Sequence, residues 1–315
     1  MTRAIIFPGQ GSQAVGMGKA LAEAFAAARE VFQEVDDALN QKLSRLMWEG
    51  PDDELLLTEN AQPAIMAASL AIIRVMQKDA GFDLARHARL VAGHSLGEYT
   101  ALCAAGAFTL SDTARLLKAR GQAMQTAVPV GLGGMSALLG AEIDQAEDLA
   151  RECAESTKGV CVVANDNAPG QVVISGTKAA IDRAPEVAKA KGIKRAMALN
   201  VSAPFHCPLM QPAADKMAEA LAAVTIRPLA VPVVANVTAS ETAEPETIRR
   251  LLVEQVTGRV RWRESVLAFR GYGVTTTVEA GGAKVLTGMV KRTDKELTTV
   301  TLDTPADIEA FVKTL

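Results

Sequence analysis

Aromatic residues are scarce in this sequence, at 4% of 315 residues. Any core must therefore be built from Ala, Val, Leu, Ile and Met, and an apolar fraction of 49% supplies enough for a large one. Excess charge of one sign is also missing, the net charge being -3. That leaves no electrostatic footprint for nucleic acid or an anionic membrane surface. Long apolar runs are absent too. The first, at residues 4–7, stops at Pro8-Gly9 and is too short for a signal peptide or a membrane span. The four cysteines, Cys103, Cys153, Cys161 and Cys207, form no C-x-x-C and have no histidine at zinc-ligand spacing. The expected setting is a reducing cytoplasm, with no disulfide framework and no metal. Only three histidines occur, His87, His94 and His206.

The most informative stretch that is present is Leu90-Val91-Ala92-Gly93-His94-Ser95-Leu96-Gly97-Glu98. An apolar run stops at Gly93, a serine stands midway between two glycines, and an alanine-rich helical stretch follows. This is the G-x-S-x-G nucleophile elbow in its strand–turn–helix context. The turn is too sharp for side chains at the glycines. It lifts the Ser95 hydroxyl out of the fold and points the free N–H groups of a helix start at the site. Such a site suits acyl transfer, where an oxyanion must be stabilised. The plainer alternative is an ordinary turn in an α/β domain.

Along the chain, residues 4–7 read as a buried strand ending in the glycine-rich loop Pro8-Gly9-Gln10-Gly11-Ser12-Gln13. Helical patterns cover 18–39, 61–78 and 96–105. Ser111 is expected to cap a helix running to about 127. After the Gly/Pro-rich hinge at 128–134 the pattern changes. Strands are expected at 135–139, 160–164, 171–175 and 195–199, with helices at 143–155 and 177–191 and a turn at 165–170. That order is βαββαβ, the split βαβ of ferredoxin-like modules. Residues 129–200 are therefore read as a small domain inserted into a large α/β domain made of 1–128 and 201–315. Within the latter, helices are expected at 210–224, 245–256 and 262–272, and strands at 231–235 and 276–279.

Serine needs a base. His87 lies in the polar segment Arg86-His87-Ala88-Arg89 and reads as solvated. His94 adjoins Ser95, so its side chain should point behind the elbow. His206, held between Pro204 and Pro208, remains as the candidate base. Arg120 has Leu116, Leu117 and Met124 as helical neighbours and so lies on the apolar stripe, unlike Arg115. A buried guanidinium needs an anion. Periodicity alone favours an internal Asp or Glu over the alternative, a substrate carboxylate held bidentately. An oxyanion hole needs two N–H donors. Leu96 supplies one, and glycine-flanked Gln10 could supply the other. A phosphate-binding turn is the competing reading of that loop, but it matches neither the P-loop nor the Rossmann fingerprint.

Together these residues resemble the malonyl-CoA:acyl carrier protein transacylases and the related acyltransferase domains of polyketide synthases. The matching stretches are Phe7 with 8–13, Gly93 with 94–99, Arg120-Gly121, the segment 200–206, and Lys284-Val285-Leu286-Thr287-Gly288. They span nearly the whole chain in family order. The resemblance implies a hydrolase-like α/β domain with a parallel central sheet and an inserted ferredoxin-like domain. It implies Ser95 as acylated nucleophile, His206 as base, and Arg120 as partner of the malonyl carboxylate. It further implies Gln10 and Leu96 N–H groups as oxyanion hole, and the Gln255 carbonyl as orienter of the histidine. Phe205, where many members carry Ser, implies preference for unbranched malonyl. Gly281-Gly282-Ala283 departs from the family's frequent Gly-Pro-Gly and leaves that turn open.

The reaction so implied is ping-pong: malonyl moves from malonyl-CoA to Ser95 and then to the phosphopantetheine thiol of holo acyl carrier protein. It calls for no cofactor, and the expected state is a monomer. Lys284, Lys291 and Arg292 are candidate contacts for an acidic carrier protein, on charge alone. Two other classes remain as alternatives: a thioesterase using the same elbow, and a non-catalytic docking module.

Overall fold

The computed structural model describes residues 2–201 and 203–315; Met1 and Ser202, the latter inside the 200–206 stretch, lie outside the described residues. The described residues form ten strands: β1 (Arg3–Phe7), β2 (Leu90–Gly93), β3 (Gly133–Leu139), β4 (Cys161–Ala168), β5 (Gln171–Thr177), β6 (Arg195–Ala198), β7 (Val233–Val234), β8 (Glu241–Thr242), β9 (Thr276–Ala280) and β10 (Thr298–Leu302). One sheet has the order β10-β9-β1-β2-β7-β8 and is parallel except for the β7–β8 pair. Its central strands β1, β2 and β9 are buried at every position. That fits their near-continuous apolar sequences, because helices cover both faces of a parallel sheet.

The second sheet, β4-β5-β3-β6, is antiparallel. With the helices Ile143–Thr157 and Lys178–Ala190 it forms the βαββαβ unit expected from the sequence. It has its own apolar cluster, centred on Leu138, Leu149, Ile174 and Ile181. The main core is aliphatic and sits around the helix Thr58–Ala80, which is buried on nearly all sides. Its many alanines let neighbouring helices approach closely.

Several local expectations are corrected. The helical pattern at 18–39 is two helices, Lys19–Ala24 and Ala26–Leu39, broken where Phe25 turns extended without Gly or Pro to mark it. The helix Leu110–Thr126 is capped by Thr109, whose Oγ1 accepts the Asp112 N–H at 3.0 Å; the expected cap, Ser111, instead bonds Glu34. The turn expected at 165–170 is shorter, because β4 runs on to Ala168. Asn165, Asp166 and Asn167 stay in the strand since each finds a partner there: Asn165 bridges to Val260, Asp166 meets Arg263, and Asn167 meets His94. The strand expected at 231–235 narrows to β7. The elements after 280, the helices Val285–Thr293 and Pro305–Val312 and strand β10, were not expected, although Thr304, Pro305 and Asp307 form a helix-start signal for the last of these helices. His87 ends a short helix, Leu84–His87, with its ring stacked on Phe82 at 5.3 Å, rather than lying in an open loop.

Candidate active site

The elbow follows from close packing. A Cβ at Gly93 would stand 1.9 Å from the Gly97 carbonyl oxygen, and one at Gly97 would stand 2.3 Å from that of Phe7. Only glycine fits at both positions. Between them Ser95 is held at φ 54, ψ -111, a conformation costly for an L-residue outside glycine. Asn236, just beyond β7, stabilises it. Its Oδ1 accepts the Ser95 N–H at 2.7 Å and its Nδ2 donates to the Gly93 carbonyl at 2.6 Å.

Ser95 Oγ lies 2.8 Å from His206 Nε2. His206 Nδ1 lies 2.8 Å from the backbone carbonyl of Gln255, in the helix Pro245–Thr257. A carbonyl only accepts, so Nδ1 carries the proton and Nε2 is left to accept from the serine. Burial, and next the positive charge of Arg120, push the His206 pKa down to about 3. The ring is therefore a neutral base at physiological pH. Its neighbour Phe205 is buried and belongs to the main core.

Arg120 is 1% exposed. Its Nη1 donates to Gln62 Oε1 at 2.8 Å; its Nη2 donates to Gln255 Oε1 at 2.9 Å and to Ser95 Oγ at 3.1 Å. Its guanidinium lies 5.6 Å from the Tyr99 ring centroid, and its buried Nε has no hydrogen-bond partner among the described residues. The internal carboxylate favoured by periodicity is thus replaced by two amides, a hydroxyl and an aromatic face. These partners orient the cation without neutralising it.

The loop carrying Gln10 lies against the elbow: a Cβ at Gly9 would come 2.8 Å from the His94 carbonyl oxygen. Gln10 Nε2 donates to Thr58 Oγ1 at 3.3 Å. Leu96 opens the helix Leu96–Ala104, so its N–H has no acceptor within the helix. His94 does point behind the elbow, with Nε2 2.8 Å from Asn167 Oδ1 and its ring 5.9 Å from that of Trp262. Lys284, Lys291 and Arg292 are exposed on or beside the helix Val285–Thr293. Gly282 has φ 82, which proline cannot adopt, so the turn at 281–283 is built differently from Gly-Pro-Gly.

Sequence reasoning missed Gln62, Asn236 and Asn167, and assigned nothing to Glu98. The available signals were weak: Gln62 is a polar residue within the mostly apolar stretch 61–73, and Glu98 is an acid in a mostly apolar helix.

A strained serine at a strand-to-helix turn, bonded to a neutral histidine on an α/β sheet, defines a serine-dependent acyl-transfer site. Residues 4–309 match the acyl transferase domain. A malonyl CoA-acyl carrier protein transacylase from Bacillus subtilis strain 168 is 44% identical over 312 residues, covering 99% of this chain and 96% of the relative. Among solved structures, an acyl-carrier-protein-S-malonyltransferase from Bartonella henselae superposes with TM-score 0.97 at 54% identity, covering 100% of this chain and 99% of the other. A malonyl-transacylase in complex with its type II PKS acyl-carrier protein superposes with TM-score 0.95 at 40% identity and 100% coverage of both chains. The chain belongs to the acyl transferase family, within its branch of malonyl CoA-acyl carrier protein transacylases.

Proposed function

We propose that this protein transfers the malonyl group of malonyl-CoA to the phosphopantetheine thiol of holo acyl carrier protein, through a malonyl ester on Ser95. The observation that carries this reading is the buried Arg120, which makes no direct ion pair among the described residues, donating to the same hydroxyl that faces His206. Ser95 Oγ attacks the thioester carbonyl while His206 Nε2 takes its proton. The oxyanion is held by the N–H groups of Gln10 and Leu96. The C–S bond breaks, and His206 returns the proton to the departing CoA thiolate. In the second half, His206 takes the proton of the carrier thiol, sulfur attacks the ester carbonyl, the C–O bond to Ser95 breaks, and His206 returns the proton to Ser95 Oγ.

Arg120 pairs with the malonyl carboxylate, which puts an anion in direct contact with a guanidinium whose hydrogen-bond partners are all neutral. Fixing the acyl group there disfavours attack by water between the two halves. Gln255 orients His206 through its carbonyl, a neutral orienter in the place of an acid. Phe205 narrows the acyl site toward unbranched malonyl. One thioester replaces another, so the chemistry calls for no cofactor. In this reading the enzyme is a monomer acting in the cytoplasm. In the same reading, 1–128 and 201–315 form the acyltransferase domain, 129–200 is an insertion, and Lys284, Lys291 and Arg292 face an acidic carrier protein.

The test is intact mass after brief mixing with malonyl-CoA, then with holo acyl carrier protein. The expected result is a malonyl adduct on Ser95 that moves to the carrier thiol and is absent in Ser95→Ala. An adduct lost to water whether or not carrier is present would instead identify a hydrolase.

A further inference from the structure

Glu98 is 2% exposed, in the first turn of the helix that follows the serine. Its Oε2 accepts the Asn236 backbone N–H at 3.1 Å and Gln255 Nε2 at 2.7 Å. Each partner holds a different part of the site. Asn236 grips the elbow through Ser95 N–H and the Gly93 carbonyl. Gln255 gives its carbonyl to His206, its Oε1 to Arg120, and a further Nε2 bond to the Ser95 carbonyl at 3.0 Å.

A carboxylate only accepts and a guanidinium only donates. The Gln255 amide between them therefore has one orientation, Nε2 toward Glu98 and Oε1 toward Arg120. Turning it over would set acceptor against acceptor and donor against donor. The geometry points to Glu98 as a positioning residue, which sets His206 and Arg120 through Gln255 and the Ser95 backbone through Asn236. This rests on the acyl-serine reading above.

The charged and titratable groups around Glu98 are Arg120 from the helix Leu110–Thr126, Tyr99 beside it, and His206 beyond Gln255. Burial pushes the Glu98 carboxyl up to about 7, against the pull of its two donors and Arg120. Protonation weakens its hold on Gln255 and removes the negative charge behind Arg120. Alignment is then lost as pH falls through about 7, a range in which His206 itself stays neutral.

The experiment measures the acylation rate with malonyl-CoA from about pH 5 to about pH 9 for the full-length wild type and Glu98→Gln. The His206 ring is followed in parallel by nitrogen-15 NMR. Because one Glu98 oxygen takes both bonds, a glutamine carbonyl can serve the same donors without the charge. The wild-type rate is expected to rise through about pH 7 while the His206 signal stays that of a neutral ring. Glu98→Gln keeps an acceptor but not the charge that strengthens both bonds and stands behind Arg120, so it is expected to lose that limb and, above about pH 7, to run roughly 100-fold slower, the cost of a small misplacement of catalytic groups. An unchanged rate and limb in Glu98→Gln, a flat wild-type profile, or a limb that tracks His206 titration would each overturn the proposal. If Glu98→Gln fails to fold, the wild-type limb set against the His206 signal decides alone. Absence of any acyl adduct in the wild type would instead overturn the acyl-serine reading beneath it.

Discussion

His94 Nε2 and Asn167 Oδ1 lie 2.8 Å apart, joining the residue before the serine to β4 of the antiparallel sheet. The contact explains two features at once. It turns the His94 ring away from Ser95, and it keeps a polar residue inside a buried strand. Burial lowers the His94 pKa, so the bond is one between neutral groups.

Removing Asn167 leaves a buried ring nitrogen without that acceptor. Asn167→Ala is expected to lower stability by about 1–3 kcal/mol, the usual cost of orphaning a buried donor. Urea unfolding followed by circular dichroism measures it. An equal loss from His94→Ala, with no further loss in the double variant, would assign the effect to this one bond.

Gly121 sets how near Arg120 comes to Gln62. A Cβ there would lie 2.5 Å from Glu59 Cα and 2.7 Å from the Thr58 carbonyl oxygen. Gly121→Ala is expected to push the helix Leu110–Thr126 away from Thr58–Ala80 and to cost about 1–3 kcal/mol of stability. Acylation by malonyl-CoA should fall more than acylation by acetyl-CoA, because the displaced group is the guanidinium. Equal losses for the two substrates would show that only the general packing had changed.

For Arg120→Ala, removing one partner of a desolvated ion pair costs ~2–5 kcal/mol. The expected loss with malonyl-CoA is roughly thirty-fold to several-thousand-fold, with little loss for acetyl-CoA. The ratio of malonyl ester hydrolysed to malonyl ester transferred should rise. Arg120→Lys restores the charge but not the fork across Gln62, Gln255 and Ser95, so it is expected to stay well below wild type. Acyl preference and hydrolysis, measured together, test both statements.

The His206 pKa is pushed down to about 3 in the folded protein, from an ordinary value of 6.5. The unfolded chain therefore binds more protons between those values, and stability is expected to fall as pH is lowered through that window. His206→Gln should flatten this part of the curve. Arg120 contributes to the depression, so Arg120→Gln should move the ring's NMR titration upward. An unmoved titration would assign the whole effect to burial.

Glu98 has the opposite sign. Its carboxyl rises from 4.5 to about 7 on folding, so the native state holds the extra proton between those values and stability falls as pH rises through them. Above pH 7, Glu98→Gln is expected to be more stable than wild type by up to about 3 kcal/mol. Denaturant midpoints at acid and alkaline pH check this. A variant that is slower yet more stable would mark Glu98 as kept for function.

What the sequence made legible has a physical pattern. Strands β1 and β2 could be read because Ile5-Ile6-Phe7 and Leu90-Val91-Ala92 are apolar on both faces, as buried parallel strands must be. Strand β10 could not, because Thr298-Thr299-Val300-Thr301 lies at the sheet edge, mostly half-exposed. Ser95 stood out through the glycines that its turn demands, and His206 through the rarity of histidine. Gln62, Asn236 and Glu98 did not, since amides and acids are common and theirs act over long chain distances. Glu98 and Gln255, for example, are 157 positions apart. Arg120 shows the limit most clearly. Periodicity correctly indicated burial, but only the folded chain reveals that its partners are neutral.

Ser95 and His206 are 111 positions apart, and all four strands of the antiparallel sheet are encoded between them. Synthesis runs from the N-terminus, so an unfinished chain that has built β1 and β2 owns the serine but not its base. Gln255, which fixes the tautomer of that base, emerges later still. On the proposed reading, a chain that ends before His206 lacks the base that activates Ser95, so acyl transfer waits on the later part of the chain.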